Sequence, residues 1–105
     1  MAPAVERPVL FIFHGIDKAD HGAVRAEARQ RHLEYILAGA ERVVLGGPTV
    51  DEADEQMTGS ILVLDFPDVA AAQAFVDGDP YHEVGLFATR TLSRWRQSLG
   101  PALRP

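Results

Sequence analysis

Residues 59–76 read Gly59-Ser60-Ile61-Leu62-Val63-Leu64-Asp65-Phe66-Pro67-Asp68-Val69-Ala70-Ala71-Ala72-Gln73-Ala74-Phe75-Val76, and a change of pattern inside them decides the fold. The first eight form a continuous apolar run rich in branched side chains, the pattern of a strand covered on both faces. At Pro67-Asp68 the period changes. Proline suits the start of a helix, Asp68 falls in the first turn where a carboxylate favours the helix dipole, and Val69, Ala72, Phe75 and Val76 form an apolar stripe ending near Val76.

Before this unit, Thr49–Thr58 is acidic, polar and without periodicity, so it is expected to be a loop. Arg42–Leu45 is a short β-branched strand, stopped by a turn at Gly46-Gly47-Pro48. Asp20–Ala40 lacks proline and spaces Val24, Ala28, Leu33, Ile36 and Leu37 along one helical face, with Gly39 punctuating its end. Arg7–His14, closed by Gly15, reads as the first buried strand. After the unit, Asp77–Tyr81 is expected to turn, Val84–Trp95 to form the last strand, and the segment beyond Ser98 to be extended. The order is β-α-β-β-α-β, the split βαβ or ferredoxin-like pattern: an α+β fold with two helices on one face of a four-stranded antiparallel sheet. Two helices cover one face only, whereas the first and third strands are apolar on both. The other face is therefore expected to meet a second copy of the chain, giving a homodimer through sheet faces.

The 105 residues are read as one domain, 1–105, with a core of about 8–97 between short flexible tails. An apolar content of 47% with 24% charge is that of a globular chain. The absence of cysteine excludes disulfides, thiolate nucleophiles and iron–sulfur clusters, and fits a cytoplasmic protein. No window approaches the roughly 20 apolar residues of a membrane span, so no membrane partner is expected. A net charge of -5, with eight carboxylates and no Lys or Arg from Asp51 to Asp79, opposes binding to nucleic acid.

Chemistry concentrates at Arg25, Arg29 and His32, where spacings of four and three bring two guanidiniums and an imidazole along one helical face. The same spacing suits a solvated basic face with a half-buried histidine. Asp79-Pro80-Tyr81 follows the second helix, and its X-Pro bond restricts the backbone enough to aim a carboxylate. Both helices lie on one sheet face, so the exit of the second can approach the middle of the first and bring Asp79 to His32. Such a pair orients an imidazole for general acid/base work but supplies no nucleophile. His14 is expected either to line a pocket beside His32 or to be a structural residue at a strand end; His21 and His82 are read as exposed. No histidine pair has a metal-ligand spacing, so no metal is expected. Neither a glycine-rich phosphate loop nor a nucleophile elbow occurs.

Arg25, Arg29 and His32, Gly46-Gly47-Pro48, Gly59-Ser60, Ala71–Phe75, Asp79-Pro80-Tyr81 and Gly85-Leu86-Phe87, in this order from about Val9 to Trp95, resemble the YciI-like (YCII-related domain) family. The resemblance implies a dimeric α+β barrel of ferredoxin-like subunits. It also implies a pocket whose catalytic pair is His32 and Asp79, with Arg25, Arg29, Pro48, Ser60 and Tyr81 available to a substrate. One family member is a dehydrochlorinase of a chlorinated hydroxyquinol. The chain departs from many members at His14-Gly15 and in its short acidic segment Thr49–Thr58.

The expectation is an enzyme needing no cofactor, in which His32 moves a proton on a small polar or aromatic ligand while Arg29 holds an anionic oxygen. A lyase, dehydrochlorinase or isomerase would fit. The alternatives are a non-catalytic ligand-binding or regulatory dimer, and a cofactor-free monooxygenase or heme-handling barrel.

Overall fold

A computed structural model describes residues 8–103. The elements are β1 (Leu10–Asp17), α1 (Gly22–Ala38), β2 (Val43–Val50), β3 (Met57–Asp65), α2 (Val69–Asp77), α3 (Pro80–Glu83) and β4 (Phe87–Trp95). The strands form one sheet in the order β2-β3-β1-β4, every neighbouring pair antiparallel, which is the ferredoxin-like arrangement. The N-terminal tail and the last two residues of the expected C-terminal tail lie outside the described residues.

Side chains alternate across a strand, so each strand sorts into two faces. Phe11 and Phe13 of β1 join Leu62 and Leu64 of β3, Phe66, and Ala72 and Val76 of α2 in the main core. This is the helix-covered face. Leu10, Ile12, His14 and Ile16 occupy the other, as do Ile61 and Val63, their register partners being His14 and Ile12. On this open face Ile16 and Ile61 are 47% and 37% exposed.

Several boundaries differ from the sequence reading. β1 does not stop at His14-Gly15 but runs to Asp17, because at Gly15 the absent Cβ leaves room for the Phe87 ring, 2.6 Å from where that atom would stand. The turn expected at Gly46-Gly47-Pro48 is strand: all three pair with β3, Pro48 opposite Ser60. β2 is an edge, where a residue without an N–H removes no interior ladder bond. The acidic loop shrinks accordingly to a connection closed by Asp51, whose Oδ1 accepts from the Glu55 and Gln56 main-chain N–H groups.

Asp68 lies just before α2, not in its first turn, and its carboxylate accepts from the Ala71 N–H as an N-cap. Asp77–Tyr81 is not a simple turn, since Asp79 caps the short helix α3 and Pro80 fills its first position. β4 begins at Phe87, later than Val84; Gly85 has φ +70°, which glycine adopts freely. On α1 the buried residues are Arg25 and Ala28, whereas Leu37 is 71% exposed.

Candidate functional site

The inner face of α1 carries polar groups where an ordinary amphipathic helix carries apolar ones. Arg25 is 5% exposed. A guanidinium at that depth needs a counter-charge and filled hydrogen bonds, because an unpaired buried charge is strongly destabilising. Asp17 supplies the charge: Arg25 Nε donates to Oδ2 at 2.7 Å and Nη2 to Oδ1 at 3.1 Å, a bidentate pair. Nη2 also donates to Ser60 Oγ at 2.8 Å, and the guanidinium carbon stands 4.7 Å from the centre of the Tyr81 ring. Asp17 was absent from the sequence reading. The available signal was Arg25 itself, a charge beside Val24 and Ala28 on the buried side of the helix.

Two turns further along α1, His32 Nδ1 lies 2.8 Å from Asp79 Oδ1 and 2.9 Å from Oδ2. The two side chains are 12% and 6% exposed. Asp79 Oδ1 also accepts from the Tyr81 N–H at 2.9 Å, so the carboxylate is the acceptor on both sides. That assigns the shared proton to Nδ1, so that in the neutral imidazole the lone pair is on Nε2. The imidazole stacks on the Tyr81 ring, centroids 3.9 Å apart and planes 12° from parallel. Burial raises the Tyr81 phenol above its ordinary range, against the pull of Arg25 and Arg29, so it is a neutral hydroxyl at physiological pH.

These groups border a cavity of about 170 Å³ between α1, α3 and the β2–β3 part of the sheet. Arg25, Arg29, His32, Ser60, Pro48 and Tyr81 all line it, and the rest of its wall is largely apolar, including Leu33, Ile36, Val43 and Leu62. Arg29 is exposed and opens onto a wider cleft of about 960 Å³ beside the β1–α1 connection, which it shares with Arg25 and Met57. His14 is not among the cavity residues; β1 register puts it on the opposite, open face of the sheet, paired with Ile61 and Thr91. His21 and His82 are half-buried rather than exposed. Among the described residues, no group of three or more His, Cys, Asp or Glu side chains could hold a metal ion, and no helix is long and apolar enough to cross a membrane.

The arrangement offers a base with one free ring nitrogen, a hydroxyl held at the cavity wall and a cation at its mouth. Comparison with known proteins places it among relatives. The model of the YCII-related domain matches residues 9–96. Protein YciI of Escherichia coli O6:H1 is 34% identical over 86 residues, covering 75% of this chain and 88% of its own length, and Protein YciI of Shigella flexneri gives the same figures. Among solved structures, the 5-chloro-2-hydroxyhydroquinone dehydrochlorinase of Burkholderia phenoliruptrix AC1100, in complex with 2,5-dihydroxybenzoquinone, is similar with a TM-score of 0.81. It is 30% identical in sequence, and the match covers 85% of this chain and 95% of that one.

Proposed function

We propose, from the premise that this chain belongs to the YCII-related domain family, that it is a small-molecule enzyme in which His32, oriented by Asp79, transfers protons on a small oxygen-bearing, ring-sized substrate. The single observation that carries this reading is that His32, on the wall of a cavity of about 170 Å³, is held from behind through Nδ1 by Asp79, which does not itself line the cavity. A carboxylate on Nδ1 fixes the tautomer and the orientation of the ring, and proton transfer by such a group contributes typically about 10²- to 10⁴-fold in rate.

The other polar groups divide their work. Arg25 is already neutralised by Asp17, so Arg29 is the cation available to a substrate anion. Ser60 Oγ accepts from Arg25, which leaves its own proton to donate to a ligand oxygen in the cavity. The apolar walls favour the body of a ring over a highly charged chain.

A dehydrochlorination of the kind named for the Burkholderia relative fits this equipment. A base that takes one substrate hydroxyl proton, returns it to the ring carbon bearing chlorine, and then takes a second hydroxyl proton as chloride departs achieves net loss of HCl, with no oxidant consumed. An isomerisation would need only the first half of that sequence. A second copy of the chain is proposed to cover the open sheet face, because Ile16, Leu45 and Ile61 stand 47%, 45% and 37% exposed on the side that no helix protects.

The test is chloride release from 5-chloro-2-hydroxyhydroquinone, together with binding of 2,5-dihydroxybenzoquinone measured by calorimetry. His32→Asn is expected to lower turnover by at least about 10²-fold while keeping the dihydroxybenzoquinone affinity within a few-fold. Binding without turnover in the wild type would favour a ligand-binding dimer instead. Neither binding nor turnover would exclude this substrate class.

A further inference from the structure

We infer that Tyr35 is a positioning residue for the His32–Asp79 pair, acting by tying the helix that carries the histidine to the end of the helix that leads to the aspartate. The inference rests on the proposed dyad and concerns how that dyad is held together.

His32 and Asp79 are 47 residues apart in sequence and sit on different elements, α1 and the N-cap of α3. A hydrogen bond between two side chains is only as steady as the elements that carry them. Tyr35 lies three residues after His32 on α1, which places both on the same helical side. Its hydroxyl donates at 2.7 Å to the main-chain carbonyl of Phe75 in the last turn of α2. The Gly78 N–H reaches the same carbonyl at 3.2 Å. The tyrosine oxygen is thus bonded to the segment that ends, four residues after Phe75, in Asp79. Its ring also stacks against Phe75, with centroids 5.1 Å apart.

Gly78 supports the same reading independently. A Cβ added there would stand 2.5 Å from the Tyr35 hydroxyl and 3.1 Å from its ring carbon Cζ. Its φ of -83° is open to any residue, so glycine is required by the tyrosine and not by the backbone conformation. The chain therefore closes a loop of contacts, His32 to Asp79 through their side chains and Tyr35 to Phe75 through hydroxyl and carbonyl, with Gly78 leaving room between them. The phenol is held above its ordinary pKa, mainly by burial and also by Asp79, Glu83 and Asp77, so it remains a donor throughout the neutral range.

The tautomer of His32 is the readout, because a tyrosine that only packed would leave it unchanged. Nitrogen NMR of histidine-labelled protein, recorded where the imidazole is neutral, gives the protonation of Nδ1 and Nε2 separately, and His32→Gln assigns the signal. The wild type is expected to hold the proton on Nδ1. In Tyr35→Phe, which keeps the ring, the ratio of Nδ1–H to Nε2–H forms should fall roughly fivefold, equivalent to one net hydrogen bond of about 1 kcal/mol. Gly78→Ala should cause the same shift by displacing the hydroxyl. The double variant should be no worse than either single one, since both act on one contact.

A tautomer ratio unchanged in Tyr35→Phe, whatever happens to the melting temperature, overturns the inference. A wild-type His32 already in the Nε2–H form overturns the dyad and this inference together. That outcome is distinct from a formed dyad that is indifferent to Tyr35.

Discussion

Tyr35 and Tyr81 are the only two tyrosines in the chain, and burial is the leading cause raising both phenols above the ordinary value of 10.0. A group whose folded pKa exceeds its unfolded one contributes stability in full below the unfolded value and loses it as pH rises through the folded value. Alkaline titration followed by phenolate absorbance should therefore show both tyrosines ionising late in the native protein and near 10.0 in denaturant, with their contribution to folding stability lost only above that pH. One tyrosine titrating at its ordinary value in the native state would contradict the burial assigned to it. The pairing of His32 with Asp79 was legible in the sequence because topology alone brings the end of the second helix to the middle of the first. Asp17 was not. It pairs with Arg25 across a connection between strand and helix, and no local spacing marks a residue eight positions away as the partner of a buried cation.

For the elements, the sequence is most readable where apolar period and helix signals agree. The switch at Pro67-Asp68 is such a place, and there the structure adds the cap bond from Ala71 N–H to Asp68 Oδ1 at 2.8 Å. Removing that acceptor with Asp68→Ala should cost about 1 kcal/mol and lower the melting midpoint by roughly 4–8 °C; Asp68→Asn should retain most of it. Equal losses in the two variants would place the effect outside the cap. Readability fails where residue preference and tertiary setting conflict. Gly46-Gly47-Pro48 has the composition of a turn, yet an edge strand tolerates both glycine and proline, and at Gly46 a Cβ would stand 2.5 Å from a Leu62 methyl carbon. The close approach of β2 to β3 selects glycine there, and a single sequence carries no sign of it. Leu37 misled in the opposite direction: helical spacing placed it on the inner face, but that face is occupied by Arg25 and His32, and Leu37 is 71% exposed.

At the level of the whole molecule the described residues, 8–103, form an elongated body with principal extents of 57 × 28 × 21 Å and a radius of gyration of 15.0 Å, against about 13 Å for a compact domain of this length. The segment after β4 is organised by Gln97, whose side chain bonds to the carbonyls of Leu99 and Pro101 and accepts from the Leu103 N–H, while Leu99 is 86% exposed. Light scattering after size exclusion should give twice the 11.4 kDa chain mass, and Ile61→Asp on the open sheet face should return it to one chain. A wild-type monomer would remove the proposed partner from that face. The strand order has a further consequence for the chain as it is being made. β1 is synthesised first, yet it lies between β3 and β4, so neither of its neighbours exists until much later in translation. For that interval Leu10-Phe11-Ile12-Phe13, apolar and uncharged, has two unpaired sides, and the nascent chain carries there a liability to aggregation that ends only when β4 has been made.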